Sequence, residues 1–258
     1  MKKSFTQRAN SNRLPNRQGT KEQQDYWLPL AENYKVIGTY AQTELGHGTY
    51  IQGIETTATL DFSTDEWIIN SPTLTSTKFW PGSLGKTCTH AVVMAQLIIG
   101  DKIYGVHPFV VQLRSLEDHT SLPGIQLGDI GPKFGFNTID NGFARFSNIR
   151  IPRENMLMRF ASVDKNGNYS RPLHAKISYL TMMKVRSGLV LSGGHYLSSA
   201  VTIAIRYSAV RHQGYLFGEA DTNPERAVID FQMQRYRLFP LVASAYAFWF
   251  IGLQLVGV

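Results

Sequence analysis

Residues 54–70, IETTATLDFSTDEWIIN, decide the fold class of the first half of the chain. From Ile54 to Leu60 threonines alternate with apolar residues, which is the period of a half-buried β-strand. Residues 62–66 are typical of a polar hairpin turn, and Trp67 opens a second apolar run. The stretch therefore predicts two antiparallel strands joined by a turn.

Further β-rich runs lie on both sides of this hairpin and are separated by turn residues. Together with the hairpin strands, they span residues 34–43, 53–61, 67–70, 91–99, 104–113 and 142–151. The run from Ala91 to Ala95 is apolar at every position, which suits an interior strand. We therefore expect an antiparallel β domain over residues 34–160.

Beyond Pro152 the pattern changes to helical spacing. Residues 165–168 contain an Asn-Gly turn signal, and apolar residues then recur at helical intervals between Leu173 and His212. Residues 214–224 are typical of a loop, and a second helix is expected from Glu225 towards the end of the chain. The sequence predicts an α+β fold, with two long helices in a partial helical domain over residues 161–258.

The second predicted helix carries no charge between Leu238 and Val258, so it is long and apolar enough to span a bilayer. Pro240, Ser244 and Gln254 interrupt the run. A helix that is apolar on all sides can equally lie in the centre of a larger bundle. We favour the bundle, and expect no membrane span.

The net charge of +7 comes almost entirely from the first residues of the 258-residue chain. Six basic residues and no acidic residue lie within residues 1–21, which loosely resembles a transit peptide or a nucleic-acid patch. We interpret residues 1–33 instead as a basic, disordered lead-in, and expect no nucleic-acid partner. The single cysteine, Cys88, excludes an internal disulfide.

Several catalytic motifs fail on spacing. Gly85-Lys86-Thr87 ends like a phosphate-binding loop, but Trp80 stands where that loop needs its first glycine. The seven histidines show no metal-ligand spacing, so no metal site is expected. Two glycine-bearing loops, residues 42–49 and 78–83, remain. Such loops let backbone N–H groups approach a flat or anionic ligand, although each is also compatible with an ordinary turn.

Five motifs in the same order resemble the peroxisomal acyl-CoA oxidases, and the resemblance runs from about Gly19 to the last residue. They are GTYAQTELGHGT at 38–49, WPG at 80–82, GDIGPK at 128–133, IPRENML at 151–157 and YSAVRHQ at 207–213. The resemblance implies an antiparallel β-barrel-like middle domain, followed by the first long helices of an acyl-CoA dehydrogenase-type bundle. It also implies a chain truncated at both ends relative to the family.

The resemblance implies an FAD enzyme of fatty-acid β-oxidation, a peroxisomal homodimer that converts acyl-CoA and oxygen to trans-2-enoyl-CoA and hydrogen peroxide. The family's carboxylate base belongs to a later segment, so no catalytic residue is expected in this chain. An acyl-CoA dehydrogenase that passes electrons to a carrier protein, and a non-catalytic fragment that pairs with full-length enzyme, remain alternatives.

Three cofactor contacts follow from the same resemblance. The threonine of the Gln-Thr-Glu motif is Thr43, and the glycine after Trp-Pro is Gly82; in the family both contact FAD. Arg211 resembles the arginine that these flavoproteins direct at the FAD pyrophosphate of the partner subunit, where a guanidinium suits two phosphates.

Overall fold

The computed structural model of the chain describes residues 18–174, 180–215, 218 and 224–257. The chain forms two compact units, Met1–Ser178 and Tyr179–Val258. The first is built mainly of strands and the second of helices, so the predicted α+β class is confirmed. The division between the units falls after Ser178, later than the boundary at residue 160 that the sequence predicts.

Helix α1 of the first unit spans Lys21–Glu32, inside the segment that the sequence assigns to a disordered lead-in. That prediction was wrong for these residues, because a capping box begins the helix. The Thr20 hydroxyl accepts from the Gln23 backbone N–H, and the Gln23 side chain accepts from the Thr20 N–H at 2.9 Å. The Gln23 amide also donates to the Met156 carbonyl at 2.6 Å, which ties the helix to the strands.

In the described part of the chain, the β structure comprises a six-stranded sheet, a three-stranded sheet and a two-stranded ribbon. The six-stranded sheet contains β1 Gly38–Ala41, β2 Thr57–Asp61, β3 Glu66–Asn70, β5 His90–Ile99, β6 Lys102–Gln112 and β9 Ile149–Pro152. The three-stranded sheet contains β4 Lys78–Phe79, β7 Ile125–Asp129 and β8 Gly142–Phe146. The ribbon pairs β10 Ser162–Val163 with β11 Tyr169–Ser170.

The predicted hairpin at residues 54–70 is confirmed as β2 paired antiparallel with β3. The large sheet is mixed, however, and not purely antiparallel as expected. Strand β5 pairs antiparallel with β6 along one edge, while its other edge pairs in parallel with β1 at His90–Val93 and with β2 at Gln96–Ile98. The long connections between these strands allow the parallel pairing, which a tight hairpin does not.

The predicted strand at residues 142–151 is in fact two strands in different sheets. Asn148 adopts a φ of 50° between them, a left-handed conformation that turns the chain from β8 into β9. The core lies between the sheets. Its largest fully buried side chains include Trp67, Phe109 and Phe146, and the Trp67 indole N–H donates to the Arg153 carbonyl at 3.0 Å.

The second unit contains two long helices among its described residues, α2 Leu180–Val210 and α3 Gln232–Val256. They pack antiparallel: an ideal Cβ on Gly252 would lie 2.7 Å from the Leu191 Cα, and Gln234 donates to the Ser208 hydroxyl at 2.9 Å. At Gly194 an ideal Cβ would lie 3.1 Å from the Trp249 backbone nitrogen, so the absent side chain permits close approach.

Among the described residues, two helical segments are long and apolar enough to cross a membrane, Arg186–Val210 and Gln232–Val256. Only 11% of the most apolar 18-residue stretch in each segment is buried within the structure. Length and composition are shared by membrane spans and by central helices of bundles, so the expected absence of a span stays a prediction.

Candidate functional site

The two glycine-bearing loops singled out in the sequence lie side by side. Thr43 follows β1, and its carbonyl accepts from the Phe79 N–H at 2.9 Å. The next residue, Glu44, forms an antiparallel bridge with Lys78. Gly82 is three residues beyond Phe79, a distance that extended chain covers in at most about 11 Å. The structure therefore brings Thr43 and Gly82 into one region of the first unit.

A fully buried ion pair joins the two loops. The Lys78 Nζ lies 3.0 Å from the Glu44 Oε1, and both side chains are 0% exposed. The ammonium also donates to the Met94 carbonyl at 2.6 Å and to the Gln42 carbonyl at 3.2 Å. Burial lowers the pKa of Lys78 to about 8, although the Glu44 carboxylate opposes this shift.

The Trp80-Pro81-Gly82 turn has an unusual backbone. Trp80 and Ser83 adopt φ values of 84° and 67°, a region that residues with side chains seldom occupy. The buried Gly82 carbonyl accepts from the Thr39 hydroxyl at 2.6 Å, while Trp80 is 53% exposed. Backbone strain of this kind persists only where the surroundings enforce it, and it concentrates at binding sites.

Arg114 and Asp140, which the sequence analysis did not single out, hold the segment that follows this turn, residues 84–88. The buried Arg114 guanidinium donates to the carbonyls of Leu84, Gly85 and Cys88 at 3.0, 2.9 and 2.7 Å. The carboxylate of Asp140 accepts from the backbone N–H groups of residues 86 and 87 at 2.9 and 2.8 Å. These N–H groups already have an acidic partner within the chain, which agrees with the exclusion of a phosphate-binding loop here.

Gly142 supports the same loop through its backbone. Its N–H donates to the Pro81 carbonyl at 3.0 Å, and its carbonyl accepts from the Trp80 N–H at 3.1 Å. An ideal Cβ on Gly142 would lie 2.3 Å from the Gly85 nitrogen. Only glycine fits this position, because the two backbones approach too closely for a side chain.

The free polar groups of the region are compatible with a flavin. The Thr43 hydroxyl makes no hydrogen bond to any residue that the structure describes, so it is available to donate to a ligand. Burial raises the pKa of the Cys88 thiol to about 12, which leaves the only cysteine without nucleophilic character. The free Thr43 hydroxyl therefore suits a hydrogen bond to the edge of a ring, and the Cys88 thiol does not suit covalent attachment of a ligand.

Glu44, His47 and Glu55 also place three possible metal-ligand atoms within 4.8 Å of one another. Their oxygens have protein partners: Glu55 accepts from Thr75 at 2.7 Å, and Glu44 accepts from the Thr56 hydroxyl at 2.6 Å. These hydrogen bonds serve both carboxylates, and the Lys78 ammonium also pairs with Glu44, while the buried His47 Nδ1 lies 3.6 Å from the Glu44 Oε2 without a hydrogen-bond partner among the described residues. The expected absence of a metal site stays a prediction.

Arg211 lies in the second unit, just beyond the end of α2. Its backbone N–H donates to the Tyr207 carbonyl at 2.9 Å, and its carbonyl accepts from the Val228 N–H at 2.8 Å. The exposed guanidinium donates to the Gln213 side-chain carbonyl at 3.0 Å. The backbone of Arg211 is therefore held on both sides while its charge faces outwards.

Comparisons with known proteins place the chain in one family. Residues 179–257 match the family described as "Acyl-CoA oxidase, C-alpha1 domain". The chain is 56% identical to the peroxisomal acyl-coenzyme A oxidase 1 of Homo sapiens over 235 residues, 91% of this chain and 35% of the relative. The protein of that name from Rattus norvegicus is 55% identical over the same length, with the same coverage.

The solved structures that resemble the chain are also acyl-CoA oxidases. An Arabidopsis thaliana acyl-CoA oxidase 1 matches with a TM-score of 0.89 and 53% identity, over 95% of this chain and 37% of that one. A Caenorhabditis elegans acyl-CoA oxidase-2, bound with FAD, ascaroside-CoA and ATP, matches with a TM-score of 0.94 and 46% identity, over 98% and 38%. The chain spans about a third of the length of its curated relatives, and over that length it belongs to the acyl-CoA oxidase family.

Proposed function

We propose that this chain forms the flavin-binding part of an FAD-dependent acyl-CoA oxidase. The reaction converts acyl-CoA and oxygen to trans-2-enoyl-CoA and hydrogen peroxide. The observation that carries the proposal is the meeting of the Thr43 loop with the Trp80-Pro81-Gly82 turn, with the Thr43 hydroxyl left unbonded among the described residues. The identity to peroxisomal acyl-coenzyme A oxidase 1 over 91% of the chain supports it.

Bound FAD supplies an acceptor for the hydride that leaves Cβ of the thioester. The chain's own residues bind and orient that group. The Thr43 hydroxyl would donate a hydrogen bond to the ring edge, and the side-chain-free backbone of Gly82 would allow close approach of the ring. A hydrogen-bond donor at the ring edge stabilises the negative charge that reduction adds, so it raises the electron affinity of the site.

Arg211 has a separate role in this proposal. Its guanidinium binds the pyrophosphate of FAD held by a partner subunit, since a planar fork of donors matches two anionic phosphates. This assignment requires a homodimer, which we propose together with a peroxisomal location. The exposed side chain and the hydrogen-bonded backbone at Arg211 are compatible with such a contact. We assign no catalytic base to this chain.

Flavin binding by the full chain tests the proposal. Thr43→Val removes the hydroxyl and keeps the shape, so we expect about tenfold weaker FAD affinity, the effect of one lost hydrogen bond. Thr49→Val is the matched control, because Thr49 is exposed in the same loop and its side chain has no hydrogen-bond partner in the described part of the chain. Titration followed by flavin fluorescence measures both.

A wild-type chain that takes up no FAD, or a Thr43→Val chain that binds it as wild type does, would contradict the assignment. The type of enzyme needs a second assay on the whole protein. Hydrogen peroxide released on addition of acyl-CoA identifies an oxidase, whereas reduction of an added electron-carrier protein without peroxide identifies a dehydrogenase.

A further inference from the structure

Lys78 is a buried cation, and its ammonium makes three hydrogen bonds within the protein. They reach the Gln42 carbonyl at 3.2 Å, the Glu44 Oε1 at 3.0 Å and the Met94 carbonyl at 2.6 Å. Two of these acceptors belong to the residues directly before and after Thr43, and the third belongs to the central strand β5. The ammonium therefore ties both neighbours of Thr43 to the middle of the sheet.

The carboxylate of Glu44 completes the attachment from the other side. Its Oε1 accepts from the Thr56 N–H at 3.0 Å, and its Oε2 accepts from the Glu55 N–H at 2.8 Å. These donors immediately precede β2. The Thr43 loop is thereby joined through hydrogen bonds to the residues that precede β2, and through Lys78 to β4 and β5.

Stability alone is a poor explanation for such a pair. Removing two charges from water is unfavourable, and replacing a buried ion pair by well-packed apolar side chains is often neutral or stabilising. An apolar pair, however, cannot hold the Gln42 carbonyl or the backbone at residues 55 and 56 by directional bonds. The particular contribution of the pair is the orientation of the segment that contains Thr43.

We propose that Lys78 and Glu44 are positioning residues that orient the Thr43 hydroxyl towards bound flavin. The inference rests on the proposed function, and it names residues that act on the flavin through Thr43 without touching it. A positioning role can be distinguished from a role in stability. If the pair positions the loop, replacing it by apolar side chains changes the orientation of the loop but leaves the stability of the fold nearly unchanged.

Three forms of the full chain test this inference. Lys78→Met leaves the Glu44 carboxylate buried and unpaired. The double variant Lys78→Met with Glu44→Leu replaces the whole pair by apolar side chains. Arg153→Met is the control, because Arg153 is also buried but bonds to Asp65, Glu154 and the Val163 carbonyl, away from both loops.

Amide exchange in the absence of cofactor supplies a readout independent of flavin. The Leu45 and Phe79 N–H groups donate to the carbonyls of Thr77 and Thr43 at 2.9 Å each. We expect both to exchange about tenfold faster in the double variant, because a tenfold change corresponds to the loss of about one hydrogen bond. FAD affinity should fall about tenfold as well, while the melting temperature stays near that of wild type.

Arg153→Met is expected to lower the melting temperature without changing either readout. If the double variant keeps wild-type exchange at these two amides, or binds FAD as tightly as wild type, the positioning role is overturned. Equal losses in Arg153→Met would also overturn it, because they would report general loosening. A wild-type chain without FAD affinity would instead refute the proposed function, and the flavin role of the pair with it.

Discussion

His90 is a buried titratable residue at the start of β5. It is 7% exposed, its ring packs edge-on against Trp27 at 5.5 Å, and burial lowers its pKa to about 4. An unfolded histidine titrates near its ordinary value of about 6.5, so between these values the unfolded chain binds more protons than the folded chain. Stability is therefore complete above that window and is lost as the pH falls through it.

The loss attributable to His90 is at most about 3 kcal/mol between pH 7 and pH 4. Urea unfolding at a series of pH values measures it. We expect His90→Gln to flatten this part of the pH profile. Burial shifts the pKa of His107 in the same direction, so some dependence should remain in His90→Gln. An unaltered profile in that variant would contradict the assignment.

The absence of a side chain at Gly142 allows its backbone to lie against that of Gly85 while it hydrogen-bonds to Trp80 and Pro81. Gly142→Ala should destabilise the fold by about 1–3 kcal/mol, the range for overpacking a filled site. It should also weaken flavin binding, because the carbonyl and N–H of residue 142 hold the turn. Gly135→Ala is the control, since an ideal Cβ there meets no atom within 4 Å. Equal stability of the two variants would refute the close contact.

At the scale of elements, the close packing of α2 against α3 depends on glycines where the two helices meet. Gly252→Ala would place a Cβ 2.7 Å from the Leu191 Cα and should separate α2 from α3, lowering stability by about 1–3 kcal/mol. Gly188→Ala meets open space within α2 and should raise stability by about 1 kcal/mol, the difference in helix propensity. Thermal unfolding followed by circular dichroism distinguishes these opposite signs; a common sign would contradict the packing.

The long strand β5 shows where local pattern stops being informative. Its apolar run predicts an interior strand, and the structure confirms that prediction with neighbours on both edges. The same run does not indicate whether the neighbouring strands pair with β5 in parallel or antiparallel. Two short strands, β1 and β2, share one edge of β5 in parallel because β5 is long enough to hold both. Direction depends on the path of the connecting chain, which periodicity does not encode.

At the scale of the whole molecule, the two long helices expose large apolar side chains, among them Leu189, Ile203 and Phe250. Their polar residues, among them His195, Ser244 and Gln254, would be unfavourable within hydrocarbon. We therefore expect alkaline carbonate and high salt to release the chain from cell membranes without detergent. Retention in the membrane pellet until detergent is added would favour a span. A known single-span protein in the same fractionation provides the control.

The sequence by itself determined the α+β class, the hairpin at residues 54–70, the two helices and the two loops that carry Thr43 and Gly82. Each depends on nearby residues, through period, turn chemistry or a contiguous motif. Only the tertiary structure decided that the loops meet, that Lys78 and Glu44 are buried together, and that Arg114 and Asp140 support the turn. Those contacts join distant parts of the chain, and whether they form depends on how strands cross and pack.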